Sequence, residues 1–384
     1  MKKVLIVTTI QNTIKAFLIP HIKRLMEQEY RVEVATNITD LQYLQEEINQ
    51  AEFHHIPFSR KIYDISNVVA FGKIRKLLVE NKYDAIHAHT PIASFLTRFA
   101  APRDCKVLYT AHGFHVNENA GFLSNRLFFI AEKLAGLKTD GLIVINQEDR
   151  LTAAKLVPEE KIFFVKGVGV DTEKYSPSRF SDEDKVLFKR ALNLPPEKKV
   201  ITQIAEFNEN KRQIDLVKAC ERIKEKYQDF VVLLIGSGPN FPLVRNEVAK
   251  RNLDSHIRLL GYRSDIDRLL SITDIGVLVS LREGLPRSVM EMMAMKIPVV
   301  LTDIRGNRDL VRHGVNGYLV PIKNPAQLAD YCMKLLLEDE IRQSFGDRSR
   351  EIIEDEYALE KILTKMDTVY QKLVLSSVGC GDSC

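Results

Sequence analysis

The chain has 384 residues, of which 45% are hydrophobic and 28% charged, and a formal net charge of +4. This is an ordinary globular composition with room for two or three cores at roughly 150 residues each. The charge is too slight to argue for nucleic acid, and no apolar run approaches the ~20 residues needed to span a bilayer.

In chain order, short β-rich apolar runs alternate with longer helical patterns. Met1-Lys2-Lys3 followed by the apolar residues up to Val7 imitates a secretory leader. The run is too short and no small-residue cleavage site follows, so it reads as a first strand over 4–9. Further strands are expected over 31–36, 84–90, 107–112, 141–146 and 162–167, with His54 and His55 read as surface residues between them. After Val170 the stretch 171–199 turns polar and carries Pro177, Pro195 and Pro196. A second series of strands follows over 200–207, 230–236, 257–262, 275–280, 299–302 and 317–320, and an amphipathic helix is expected over about 358–375. Near-continuous apolar strands separated by helices imply buried parallel sheets built of βαβ units. The predicted fold class is therefore α/β: two Rossmann-like, doubly wound domains facing each other across a cleft. The first domain covers residues 1–171, and the second covers 172–357. The segment 358–384 is free to pack back on the first domain.

Cys105, Cys220 and Cys332 sit singly in apolar stretches and read as reduced core residues. Cys380 and Cys384 in the tail have no companion His or Cys cluster that would hold a metal. An odd cysteine count without a framework fits a reducing cytoplasm.

In open parallel sheets, ligands bind beyond the carboxyl ends of the strands. Those ends are polar here: Thr8-Thr9, His87-Ala88-His89, His112 to His115, Glu206, Gly236-Ser237-Gly238 and Ser280 to Glu283. The most informative stretch runs from Ser280 to Glu291. A strand ends near Ser280, a loop holds Glu283 and Gly284, and Pro286 sits near the first position of a helix, where a missing N–H costs nothing. The free N–H groups and positive dipole end of that helix suit a diphosphate. From Glu291 a carboxylate reaches past the phosphates to ribose hydroxyls, while Glu283 sits nearer the sugar. A glutamate early in a helix is also explained by the dipole alone, so spacing does not settle the role.

Glu283 and Glu291, seven residues apart around Gly284-Leu285-Pro286, resemble the E-x7-E motif of retaining GT-B glycosyltransferases of family 4. Gly236-Ser237-Gly238-Pro239, Gly261-Tyr262-Arg263, Asp303 to Asp309 and Gly314 to Val320 follow in that family's order. His87-Ala88-His89-Thr90-Pro91 and Thr110 to His115 resemble its bacterial capsule and exopolysaccharide branch. The resemblance covers nearly the whole chain, and it is the ordered set of motifs that is specific.

The resemblance implies roles. Glu291 binds the ribose, Glu283 lies by the donor sugar and the reacting centre, and backbone N–H groups around Leu285 and Arg287 hold the distal phosphate. Lys211 neutralises the diphosphate and His112 contacts the donor sugar. Thr9, His89 and His115 are the acceptor-side candidates. Gly236, Tyr262 and Arg263 join the donor-binding set through their motifs. Two departures stand out. Glu206 occupies a position where the family commonly has arginine, leaving Asn208 and Asn210 as neutral donors and Arg212 as a substitute cation. Thr8 to Thr13 replaces the glycine-rich loop of many members.

Other features carry less. Asp265-Ile266-Asp267 mimics a metal-binding DxD of another fold but reads as a helix cap. His87 and His89 are read as pointing to opposite faces of their strand and so unable to share an ion. No metal and no cofactor are expected; the nucleotide sugar is a substrate. Lys61, Lys73, Arg75 and Lys76 flank apolar residues, which reads either as a solvated helix face or as weak contact with an anionic membrane. The expected reaction is transfer of a hexosyl group from a UDP-sugar, with retention, to a lipid-linked saccharide. It is placed in the cytoplasm, on the inner face of the plasma membrane. The alternatives are a non-hydrolysing sugar-nucleotide epimerase and a catalytically silent nucleotide-sugar-binding subunit, which Glu206 favours.

Overall fold

The computed structural model describes residues 1–114 and 122–375. The chain divides into two compact units: residues 1–168 with the chain from 361 onward, and residues 169–360.

Unit 1 holds β1 (Lys3–Ile10), β2 (Arg31–Asn37), β3 (Glu52–His55), β4 (Ala85–His89), β5 (Lys106–Ala111), β6 (Gly141–Val144) and β7 (Ile162–Phe164). They form one sheet in the order β3-β2-β1-β4-β5-β6-β7, and the pairings are parallel throughout, with Val7 opposite both Ala35 and Ala88. Unit 2 holds β8 (Lys199–Ile204), β9 (Phe230–Ile235), β10 (Ile257–Gly261), β11 (Ile275–Leu278), β12 (Val299–Thr302) and β13 (Gly317–Val320). Their order is β10-β9-β8-β11-β12-β13, again parallel. All six residues of β9 are buried, as a strand covered by helices on both faces must be. Strand order reverses between β1 and β4 in unit 1 and between β8 and β11 in unit 2. At such a switch point the connections leave in opposite directions and open a crevice at the strand ends.

Strand β3 was not anticipated. It is an edge strand whose outer residues Glu52 and His55 are exposed, so it lacks the apolar run that marked the others. His54 is not a free surface residue. Its Nε2 meets Glu33 Oε2 at 2.9 Å, and the Tyr83 hydroxyl donates to the same oxygen at 2.5 Å. Burial raises the Glu33 carboxyl, but hydrogen bonds from Lys3, Tyr83 and His54 overcome it and hold the group at about 2.

The polar stretch after Val170 is not a bare linker. Ser181 and Asp184 form a reciprocal capping box that starts a helix over Asp182–Ala191. Phe188 on that helix packs against Val200, Val231 and Leu269. The helix was missed because its polar face dominates its composition. The C-terminal helix Leu359–Tyr370 belongs with unit 1: Ile362, Met366 and Val369 share a core with Val4, Ile6 and Leu25. Arg24 fastens it by donating from Nε and Nη2 to Asp367 Oδ2 at 3.0 and 2.9 Å. Cys105, Cys220 and Cys332 are free and buried; Cys380 and Cys384 lie outside the described residues.

Candidate active site

At the unit 2 switch point, two loops leave adjacent strands and are stitched together. The loop after β8 carries Glu206, Asn208, Asn210 and Lys211, and the loop after β11 carries Glu283 and Gly284. Asn210 spans both: its Oδ1 accepts from the Arg282 N–H and its Nδ2 donates to the Arg282 carbonyl, each at 3.1 Å. The Leu281 N–H donates to the Asn210 carbonyl at 2.8 Å. A third loop closes the packing. Gly306 has φ +79°, and a Cβ there would lie 2.1 Å from the Gly284 carbonyl oxygen. Arg305 Nε donates to the Glu283 carbonyl at 3.3 Å. Gly236, with φ +140°, approaches the Ala205 carbonyl just as closely. Glycine is required at both positions by backbone sign and by contact.

Within this frame Lys211 Nζ donates to Glu283 Oε1, and both side chains are mostly buried, with 22% and 11% of their surfaces exposed. Glu283 and Lys211 come from loops on neighbouring strands, so the fold itself makes the pair. The helix Arg287–Ala294 follows with Pro286 at its cap position, its first N–H groups outside the helical ladder. Glu291, one turn in, is buried. Its carboxyl is raised by that burial, against the opposing pull of Arg287 and of a hydrogen bond from Tyr175. Arg287 Nε lies 2.8 Å from Glu291 Oε1. Tyr175 was not identified from sequence; a lone tyrosine in a polar stretch carries no signal for a partner more than a hundred residues away.

The polar residues around this centre are largely occupied. Asn208 donates to Glu206 Oε2 at 3.1 Å and accepts from the Lys211 N–H at 3.1 Å. Arg212 forks onto Asp215 at 2.5 and 2.7 Å, and Arg263 forks onto Asp265 at 2.8 and 2.6 Å. Asp265 does occupy the cap position of the helix Ile266–Ser271, but its side chain makes no capping bond because Arg263 takes both oxygens. Asp267 takes Arg179 at 3.0 Å. Each carboxylate of the DxD-like stretch therefore has its own guanidinium. Glu206 and Tyr262 are exposed.

The unit 1 switch point is built differently. Thr9 Oγ1 and Thr90 Oγ1 meet at 2.7 Å across the gap between β1 and β4, and Thr90 adopts φ +67°. His87 and His89 are buried on the same face of β4, with ring centroids 4.1 Å apart. This corrects the expectation that they diverge: residues two apart in a strand share a face. Neither offers a free pair of ligand atoms. His87 is bonded through Nδ1 to the Tyr370 hydroxyl at 2.6 Å and through Nε2 to Thr110 at 2.7 Å, and His89 Nδ1 meets His112 Nε2 at 3.0 Å. Burial, then the neighbouring His21 and His112, lowers His87 to about 3; burial, then His21, lowers His112 to about 4. The cavity beside these rings, about 30 Å³, has room for about one water. His115 lies outside the described residues. Gln11 opens the helical turn Gln11–Thr13 directly after β1, in the stretch that replaces the glycine-rich loop of many members, and ties down the loop after β2. Its Oε1 accepts from the Thr39 and Asp40 N–H groups at 2.8 and 2.9 Å.

The chain is similar to known proteins. Residues 20–174 match the Glycosyltransferase Family 4 domain, and residues 184–352 match Glycosyl transferases group 1. EpsD of Bacillus subtilis, named as a glycosyltransferase, is 32% identical over 355 residues, covering 91% of each chain. The Escherichia coli UDP-Gal:alpha-D-GlcNAc-diphosphoundecaprenol alpha-1,3-galactosyltransferase is 26% identical over 83% of this chain and 82% of its own. The structure of Anabaena HepE in complex with UDP superposes with a TM-score of 0.81 at 19% identity, covering 97% of this chain and all of that one. Two parallel Rossmann-like sheets, both family domains in order, and similarity to EpsD along nearly the whole length lead to one conclusion: the chain belongs to the family 4 glycosyltransferases of the GT-B fold.

Proposed function

We propose that this chain transfers a hexosyl group from a UDP-sugar, with retention, to a lipid-linked saccharide during assembly of a surface polysaccharide. The observation that carries the reading is the convergence at the β8/β11 switch point of Lys211, Glu283 and the helix start at Arg287, with Glu291 one turn deeper. A cation and unpaired N–H groups suit a diphosphate, and a buried carboxylate beyond them suits the ribose hydroxyls. HepE binds UDP, and the Escherichia coli relative acts from UDP-galactose on a diphosphoundecaprenol-linked sugar. Both fit this donor and acceptor class.

In the resting protein Lys211 is held by Glu283. An incoming diphosphate competes for that ammonium, so donor binding releases the Glu283 carboxylate beside the sugar. As the glycosidic bond breaks, negative charge grows on the diphosphate, where Lys211 and the helix N-terminus stabilise it. The acceptor hydroxyl then attacks on the face the nucleotide leaves, passing its proton to the departing diphosphate oxygen, which preserves configuration. His112 keeps the role the resemblance implies, contact with the transferred sugar. Charge on the diphosphate is met without a metal, so chelator-treated enzyme should retain most of its activity. Restoration by manganese or magnesium after a loss would overturn that step. The reaction belongs at the cytoplasmic face of the membrane, with weak contact through Lys61, Lys73, Arg75 and Lys76. The decisive experiment offers UDP- and GDP-sugars with a lipid-linked saccharide and reads the product anomer by NMR. A retained anomer from a UDP-sugar is expected; inversion, or use of GDP-sugars alone, overturns the reading.

A further inference from the structure

Four histidines of unit 1, His21, His87, His89 and His112, line one small cavity. The carboxylate that lines it with them, Asp367, is engaged by Arg24. Two of the rings are fixed by neutral partners. His21 Nε2 lies 2.9 Å from the Val168 carbonyl, so it bears the hydrogen and donates. At His87 the Tyr370 phenol, 2.6 Å away, is the more acidic partner and donates to Nδ1; His87 Nε2–H then donates to Thr110 Oγ1 at 2.7 Å.

His89 is held by another ring. Its Nδ1 lies 3.0 Å from His112 Nε2, and the two rings stack with centroids 5.3 Å apart at 25°. The fixed His87 ring backs His89 at 4.1 Å, and Phe17 lies 5.1 Å from the His112 ring. Burial holds both members of the pair below the ordinary histidine value, His112 at about 4. A neutral imidazole carries one hydrogen, so a single hydrogen lies between the two nitrogens, and the pairing decides which nitrogen of His112 bears its own. Among the described residues His112 makes no second hydrogen bond, which leaves Nδ1 for a ligand. Folding alone asks for no such arrangement. Apolar side chains fill a core without the cost of burying polar nitrogens, whereas a satisfied polar network fixes one geometry.

We propose that His89 is a positioning residue for His112: it takes the Nε2 edge of that ring, fixes its tautomer, and directs Nδ1 to a hydroxyl of the transferred sugar. The inference rests on the reading that His112 contacts that sugar. It also takes His89 out of direct contact with the acceptor, since its Nδ1 is occupied and its side chain is buried.

The test is a set of substitutions at residue 89. Asparagine places a polar atom where histidine has Nδ1, and glutamine places one where it has Nε2. Activity is read with whichever of UDP-glucose, UDP-galactose and their N-acetylamino forms supports transfer. His89→Phe and His89→Gln should each lower kcat about 10-fold, with donor and acceptor KM near wild type, and His89→Asn should recover most of that loss. Added to His112→Ala, His89→Phe should cost nothing further, because a residue that acts only through His112 has no effect once that ring is gone. A second readout needs no substrate. In protein carrying isotope-labelled histidine, nitrogen NMR should show His112 in one tautomer in wild type and His89→Asn, and averaged between tautomers in His89→Phe and His89→Gln. Unchanged circular dichroism and an unchanged thermal shift with UDP show that the variants fold. Should the phenylalanine variant not fold, the contrast between His89→Asn and His89→Gln decides. The proposal is overturned if His89→Gln matches wild type, if the His112 tautomer is the same in every variant, or if the losses of His89→Phe and His112→Ala multiply. A raised acceptor KM in His89→Asn makes His89 an acceptor contact and overturns it as well. Wild-type kcat in His112→Ala refutes the sugar contact and this inference with it, whereas a low kcat in His112→Ala beside a normal His89→Phe refutes this inference alone.

Discussion

The two switch points share one topology and differ in their electrostatics. Between β8 and β11 the fold assembles charge: Lys211 against Glu283, and Arg287 against a buried Glu291. Between β1 and β4 it assembles neutral groups: the Thr9–Thr90 hydroxyl pair and the contiguous rings of His87, His89 and His112. Burial keeps those rings uncharged by pushing their pKa values down. A parallel sheet thus provides the crevice and leaves its chemistry to the few residues at the strand ends. The charged crevice suits a diphosphate leaving group, and the neutral one suits hydroxyl-bearing sugars.

The sharpest way to break this comparison is kinetic. Glu283→Ala should lower kcat by ~10²-fold or more with little change in donor KM, the signature of an interaction made mainly in the transition state. Lys211→Ala should raise KM and lower kcat together, because the charge it meets is present in the bound donor and grows during reaction. The two side chains touch at rest, so the double variant should lose less than the product of the single losses. His112→Ala should resemble Glu283→Ala. Intact kcat in Glu283→Ala together with an inactive Glu206→Ala would move the essential acid to the loop after β8.

A smaller effect tests how the charged crevice is held. Gly306→Ala would press a methyl group against the Gly284 carbonyl and strain a positive-φ position, typically costing about 1–3 kcal/mol. Activity should fall well below wild type while the variant stays folded. Wild-type activity would show that the Glu283 loop does not depend on this contact.

The smallest effect is one of sign. His87 and His112 titrate at about 3 and about 4 in the folded chain, against ~6.5 when unfolded. Between those values the unfolded chain binds more protons, so unit 1 loses stability as pH falls below ~6.5. Glu33, held at about 2, adds a further loss below the ordinary carboxylate range. Glu291 works in the opposite sense. Its folded pKa is raised, chiefly by burial, so its contribution diminishes as pH rises past its ordinary value. Hydrogen exchange, corrected for intrinsic pH dependence, should show unit 1 peptides losing protection between pH 6.5 and 5 before those around Glu291. Equal loss in both units would contradict the assignment of neutral buried histidines.

Much of this was legible in the sequence for physical reasons. Strands buried on both faces announce themselves as apolar runs, which is why β8, β9 and β12 were anticipated. Glu283 and Glu291 were singled out by the resemblance of their motif, and they lie in the loop after β11 and in the helix Arg287–Ala294. Edge strand β3 was not found, because an edge exposes half its residues. The helix Asp182–Ala191 was hidden by its polar face, although Ser181 with Asp184 was a readable cap signal. The Lys211–Glu283 pair and the Asn210 stitch join loops 72 residues apart, and only the adjacency of β8 and β11 brings them together. The Tyr175 contact with Glu291 had no local sequence signature. The reading of His87 and His89 failed through a misapplied strand alternation, not for want of information.

The central claim is that the charged crevice of unit 2 holds a nucleoside diphosphate with Glu291 on its ribose, and calorimetric titration with UDP tests it most directly. Each hydrogen bond to a charged acceptor contributes about 1.5–3 kcal/mol. Glu291→Ala should therefore weaken UDP binding by at least ~10-fold, with Glu291→Gln falling between it and wild type. Wild-type affinity for UDP in Glu291→Ala would contradict the placement of the nucleotide.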